Sequence, residues 1–217
     1  MNETPRIAII GGTGNLGRGL AKRWVTNGYR IIIGSRSEEK AQQVAAELND
    51  ELNLDTIRGM ENSTAVKLSD FNVLTVIQSA HEKALRSLQG DLQGTILIDT
   101  TARIEYSNPS PPQPPSAARL AQNILGPAVP VFAAFQTVPA HALANLNQKI
   151  SGDVFVCGDD PSLKEAVIGL VKGAGLNAYY VGDLDQAITI EGLTAMLISI
   201  NKNTDINNAS IQIIGER

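Results

Sequence analysis

The chain has 217 residues, 43% of them hydrophobic and 18% charged, with a formal net charge of −4 and a pI near 5.2. That length buries a large core without staples, and the composition is too apolar for a disordered chain. The acidic balance excludes a dedicated nucleic-acid binder, and the single cysteine, Cys157, excludes a disulfide framework or a cysteine-built metal site.

The opening residues, MNETPRIAIIGG, carry no basic segment before their short apolar run. No apolar stretch approaches the roughly 18 residues of a membrane span. With one unpaired cysteine, this points to a soluble protein of the reducing cytoplasm. No metal site is expected.

Residues 6–10 (RIAII) read as a buried strand, short, β-branched and closed by glycines. A helix follows over residues 15–28, with Gly28 as its stop. Residues 30–33 (RIII) form the next strand, and residues 37–49 a helix rich in Glu, Lys, Ala and Gln. Further strands are predicted at 71–77 (FNVLTVI) and 95–99 (TILID), with a helix at 80–88 between them. Residues 108–115 (NPSPPQPP) interrupt the alternation, because proline is barred from helix interiors and central strands. This segment is either a stiff surface spacer or a loop walling a ligand cleft at the carboxyl edge of the sheet. The pattern resumes with a helix at 116–125, a strand-like run at 129–135, and strands at 153–157 (DVFVC) and 177–181 (NAYYV) around a helix at 161–173. Asp159 and Asp160 precede Pro161 as an N-cap with proline in the first turn. Residues 184–200 close the chain as a largely apolar helix, suited to burial or to docking on a second subunit.

Alternating strands and helices with buried apolar strands imply an α/β chain built on a mostly parallel sheet, covered on both faces and joined by right-handed crossovers. Between the first strand and the first helix stands Gly12-Thr13-Gly14-Asn15-Leu16-Gly17, which matches G-x-G-x-x-G in its required setting. Gly12 allows the tight turn, Gly14 lets a pyrophosphate approach the backbone, and Gly17 lets helix and strand pack closely. The helix start then offers N–H groups and a dipole to the phosphates. The expected fold is a Rossmann-type, doubly wound sheet over residues 1–182, with a small helical C-terminal region at 183–217.

The second strand ends Gly34-Ser35-Arg36, without the acid that binds an NAD ribose about 20 residues past the glycines. Arg36 stands there instead and suits a 2′-phosphate through paired N–H donors; Ser35 adds a hydroxyl, and Lys40 follows on the same helix face. NADP(H) is therefore the expected dinucleotide. The competing reading is a solvated basic helix start beside Glu38 and Glu39.

Three stretches go further: GGTGNLGRGL (11–20) with GSRSEEKA (34–41); AAFQTVPAHALANL (133–146) leading to VFVCGDD (154–160); and EGLTAMLIS (191–199) with the terminal SIQIIG (210–215). In these the chain resembles the NADPH-dependent reductases of the deazaflavin coenzyme F420, in the same order over nearly its whole length. The resemblance implies a homodimer that transfers hydride between NADP(H) and coenzyme F420. It also implies that Thr13, Gly14, Asn15 and Leu16 hold the pyrophosphate, and that Ser35, Arg36 and Lys40 bind the 2′-phosphate. Gln78 would border the nicotinamide, Ala140 would approach the same cofactor, and Gln136, Thr137 and Val138 would lie where the deazaflavin stacks. Both hydride carriers are cofactors, so the protein's share is alignment and dryness, and no catalytic side chain is named.

The chain departs from the family at Thr100-Thr101-Ala102-Arg103-Ile104, often rich in Pro and Val, and at residues 202–208 (KNTDINN), often basic. These departures keep open NADPH-dependent reduction of another acceptor, a flavin or small carbonyl, and the apolar C-terminal helix, able to dock on a partner, leaves room for a non-catalytic NADP-binding protein. The two histidines, His81 and His141, read as packing residues more readily than as ligand contacts, Cys157 as a small hydrophobe, and Trp24 as core.

Overall fold

The computed structural model describes residues 4–147 and 150–215. Eight strands form one sheet: β1 (Arg6–Ile10), β2 (Arg30–Ser35), β3 (Arg58–Glu61), β4 (Phe71–Leu74), β5 (Ile96–Asp99), β6 (Val131–Ala133), β7 (Asp153–Gly158) and β8 (Asn177–Tyr180). Their order is β3-β2-β1-β4-β5-β6-β7-β8. Every pairing is parallel except β6 with β7, where Phe132 faces Gly158 and Ala133 faces Cys157. The chain order reverses across β1 and β4, which makes the carboxyl ends of those strands the switch point where an open α/β sheet leaves a crevice.

Eight helices are described: α1 (Asn15–Thr26), α2 (Glu38–Leu52), α3 (Asn62–Lys67), α4 (His81–Leu88), α5 (Ala117–Leu125), α6 (Ala140–Ala144), α7 (Lys164–Gly173) and α8 (Ala187–Asn203). Successive strand residues point to opposite faces, and the core divides accordingly. Ile7, Ile9, Ile31, Ile33 and Val73 pack with Leu20 and Trp24 of α1, Val44 and Leu48 of α2, and Val167 and Leu170 of α7. Ile10, Leu74, Leu97 and Val131 pack with Leu85 of α4, Ala121 and Leu125 of α5, and Ile190 of α8. The largest buried side chain, Trp24, donates its Nε1–H to Leu170 O at 2.8 Å and meets Phe135 edge-on, so α1 is pinned from both directions.

The expected fold class stands, and the principal strands and helices lie where periodicity put them. Three elements went unread: β3, α3 and α6. Two predicted strands are shorter than their apolar runs. Residues 75–77 leave the sheet after β4, with Ile77 exposed, and the chain after β6 turns at Phe135, whose φ is +74°. Helix starts follow the caps that the sequence offers. Ser37 accepts from Lys40 N, Ser116 from Arg119 N, and Asp160 from Ser162 N. Asp159 does something different: it takes Arg119 in a paired contact and accepts from Leu184 N, tying α5 to the approach to α8.

Candidate active site

The turn after β1 is dictated by close packing. Gly12 N donates to both Ile9 O and Gly34 O at 3.0 Å, and a Cβ on Gly17 would stand 2.6 Å from Gly12 Cα. Only glycine lets α1 start that near β1. Gly14 is the N-cap of α1, but no side chain caps the helix, and a Cβ on Gly14 would meet nothing within 4 Å. The first N–H groups of α1 therefore open onto free space, where their dipole favours an anion.

That space is a cleft of about 1310 Å³. Gly14, Asn15 and Leu16 line it on one side, the segment from Thr75 to Ser79 lies across from them, and Thr100, Thr101 and Ala102 form its floor beyond β5. Tyr106 and residues 110–113 wall it, so the proline-rich segment is a cleft wall and not merely a spacer. A second cleft of about 400 Å³ adjoins it, formed by residues 135–141 with Thr194, Leu197, Ile198 and Asn201 of α8. Leu16, Thr100, Ala102 and Tyr106 line both.

Asp99, fully buried at the end of β5, organises the junction. Its Oδ2 lies 2.6 Å from His81 Nε2, its Oδ1 accepts from Thr101 N at 2.9 Å, and its carbonyl accepts from Gln136 Nε2 at 2.9 Å. Two side chains tethered to it each retain a buried polar atom without a partner: Thr101 Oγ1 and Gln136 Oε1. A buried polar atom left unpaired is costly, and these two belong to residues that line the two adjoining clefts, Thr101 the larger and Gln136 the smaller. Phe135 adds strain at the same place. A positive φ is rare for an aromatic residue, and here it swings the Gln136–Val138 turn, closed by Val138 N to Phe135 O at 3.1 Å, into the second cleft.

The predicted site residues fall into groups. Gly14, Asn15, Leu16 and Gln78 meet in the large cleft. Gln136, Thr137, Val138 and Ala140 meet in the second, with His141 beside them. Gly12 and Thr13 form the turn beneath and do not line either cleft. Ser35 ends β2 with its Oγ accepting from Ser37 N, while Arg36 and Lys40 stand exposed around the start of α2. Among the described residues neither cation has an ion-pair partner. Their exposure agrees with a 2′-phosphate site and equally with the competing reading of a solvated basic helix start, in which Glu39 accepts from Ser37 Oγ and Glu38 from Gln42. His81 packs against Asp99, and Cys157 is buried, its thiol pushed up to about 12 mainly by desolvation. No group of His, Cys, Asp and Glu able to hold a metal ion occurs among the described residues.

Sequence reasoning missed Asp99, Thr101, Tyr106 and the α8 residues of the second cleft. Asp99 had a signal, an acid closing an otherwise apolar strand.

The model of the family described as NADP oxidoreductase, coenzyme F420-dependent, matches residues 6–103. The F420-dependent NADP reductase of Methanocaldococcus jannaschii is 33% identical over 96% of this chain and all of its own length. This chain belongs to the F420-dependent NADP reductase family. A second member, from Methanothermobacter thermautotrophicus, is 32% identical over 96% of this chain and 94% of its own. A solved structure described as a putative F420-dependent NADP reductase from Arthrobacter sp. FB24 superposes with a TM-score of 0.80 at 23% identity, covering 96% of this chain and 99% of that one, which supports the fold. The family match covers the glycine turn, Arg36 and the floor of the large cleft; the full-length relatives extend it to the second cleft and α8.

Proposed function

We propose that this protein transfers hydride between NADP(H) and coenzyme F420. The observation that carries the reading is the meeting of two clefts at Leu16, Thr100, Ala102 and Tyr106, one opened by the uncapped start of α1 and the other by the Gln136–Val138 turn. No Asp, Glu, Lys, Arg or His stands among the shared residues. Hydride transfer between two carriers suits such a junction, because it needs rings aligned and water excluded, and no compulsory acid or base. The carriers supply the donor and acceptor carbons.

The residues fit the dinucleotide. The N–H groups of Asn15 and Leu16 at the open start of α1 hold the pyrophosphate over Gly14, with Gly12 and Thr13 shaping the turn. Arg36 and Lys40, with the Ser35 hydroxyl between strand and helix, hold the 2′-phosphate. Gln78 borders the nicotinamide and Ala140 approaches it across the boundary. Gln136, Thr137 and Val138 face the acceptor.

In this reading the segment after residue 182 completes the acceptor side through α8 and serves as the contact of a homodimer. Met196 on α8 is exposed, as are Ile206, Ile213 and Ile214 beyond it. No helix of the described residues is long and apolar enough to cross a membrane. A lone buried thiol suits the reducing cytoplasm, where we place the protein.

The test combines purified protein, NADPH and oxidised coenzyme F420 and follows the deazaflavin's visible absorbance, with NADH as control. Bleaching with NADPH and little with NADH is expected. Tight NADPH binding without bleaching would overturn the acceptor. Arg36→Ala should raise the KM for NADPH by about tenfold or more through loss of a charge-assisted phosphate contact, and unchanged NADPH affinity would remove Arg36 from the site.

A further inference from the structure

Residues 103–116 carry no helix or strand, yet they wall the large cleft. A segment of that length stays in one place only if its ends and its middle are tied down. One side chain ties both ends. Glu191 of α8 is fully buried; its Oε2 accepts from Arg103 N at 2.9 Å and its Oε1 from Ala117 N at 2.7 Å. The Arg103 guanidinium donates across the same closure to Pro115 O. Lys202, one helix end further along α8, donates its Nζ to Ser107 O at 2.8 Å. Between these anchors sits Tyr106, 73% exposed, a large aromatic side chain lining both clefts. Prolines at 109, 111, 112, 114 and 115 stiffen the rest, so movement at the ends carries through to the tip.

We propose that Glu191 is a positioning residue that sets the 103–116 wall and thereby holds Tyr106 over the junction, where it covers the acceptor ring. The inference rests on the hydride-transfer reading above and names the side chain that confines the acceptor. A carboxylate is suited to the task because it accepts at two oxygens at once. Glutamine keeps the shape but turns an NH2 toward one of two N–H groups, so one tether is lost. Asp99, itself paired with His81, and Arg103 are the charged groups around Glu191, and Arg119 on the adjoining α5 is engaged with Asp159 and Asp185.

The experiment compares the unaltered protein with Glu191→Gln, Tyr106→Leu and the double variant, in the NADPH and F420 assay. Glu191→Gln is expected to raise the KM for F420 by about tenfold, the worth of one backbone hydrogen bond to a charged group, and the KM for NADPH by a clearly smaller factor, since the same wall also lines the nucleotide's cleft. Tyr106→Leu should do the same, and the double variant should be no worse than the poorer single, since both act through one side chain. An unchanged KM for F420 in Glu191→Gln, or losses that multiply in the double variant, overturns the proposal. If the unaltered protein turns over no F420, the hydride reading fails by itself. The wall is then tested by chymotrypsin: at a temperature where circular dichroism shows both proteins fully folded, cleavage after Tyr106 should be faster in Glu191→Gln, and equal rates overturn the clamp.

Discussion

Glu191 should make this protein less stable as the solution turns from acid to neutral. Its carboxyl is driven up from 4.5 to about 7 chiefly by desolvation, with the nearby Asp99 charge adding to the rise and the Arg103 and Ala117 N–H groups opposing it. A folded state with the higher pKa keeps its proton across a window in which the unfolded chain has released it. The contribution is therefore complete below about 4.5, declines as pH rises, and is gone once pH passes about 7. Each pH unit in that window is worth about 1.4 kcal/mol, so between about pH 5 and about pH 8 the loss is at most about 2.5 kcal/mol. Other carboxylates titrate in the same range, and Glu191→Gln removes only this one. Urea unfolding followed by far-UV circular dichroism at both pH values measures the pair. The glutamine variant should gain on the unaltered protein by up to about 2.5 kcal/mol on going to the higher pH. Two stability profiles that run parallel within about 0.5 kcal/mol would refute the claim that this carboxylate is held at a cost in the folded state. The same substitution is expected to loosen the cleft wall, so one residue separates the needs of stability from those of the site.

Three further outcomes check the packing that positions the site. Gly17→Ala puts a Cβ 2.6 Å from Gly12 Cα, a side-chain atom against backbone that cannot swing away; about 1–3 kcal/mol of stability should be lost, and NADPH binding, read by nucleotide fluorescence, should weaken sharply. Trp24→Phe removes one of two donors to the Leu170 carbonyl, which keeps Ala174 N at 3.2 Å, and leaves part of the indole's buried volume unfilled; it should lower the thermal midpoint by a few degrees, the equivalent of about 1–2 kcal/mol, in a calorimetric scan. Cys157, fully buried with its thiol raised to about 12, should react with an aromatic disulfide at neutral pH only as fast as the chain opens; immediate stoichiometric colour would contradict its placement.

How far the sequence reached depended on whether each feature had a short-range cause. The strands β1 and β2 are apolar runs closed by glycine, and the turn between β1 and α1 needs glycine for contacts made within six residues, so all were legible. The edge strand β3, RGME, has no apolar alternation to reveal it; it is shaped by the neighbouring helix, since a Cβ on Gly59 would stand 2.3 Å from Ala41 O. The antiparallel direction of β7 is likewise not written in DVFVCG, because a strand's own residues are as content in either direction. The direction follows from the connection after β6, which passes through the strained Phe135 and α6.

The site divides on the same line. Arg36 could be proposed from the sequence because the proposal needs only a strand end and a fixed distance from the glycine turn. Glu191 was not: its two partners lie 88 and 74 residues away, and inside an apolar helix an isolated acid reads as a solvated position until those two N–H groups are seen converging on it. Asp99 is the same case, since His81, Thr101 and Gln136 reach it from three separate segments. What was illegible is therefore concentrated where the two clefts join. A junction assembled from distant segments can change its acceptor by altering the 103–116 wall or the α8 face without disturbing the glycine turn. This predicts that substitutions at Tyr106 shift preference among flat acceptors while the preference for NADPH over NADH, which we assign to Arg36, stays where it is. Competition between oxidised F420 and a free flavin, run with both nucleotides, separates the two effects, and a Tyr106 variant that altered the nucleotide preference instead would show that the clefts are not independent.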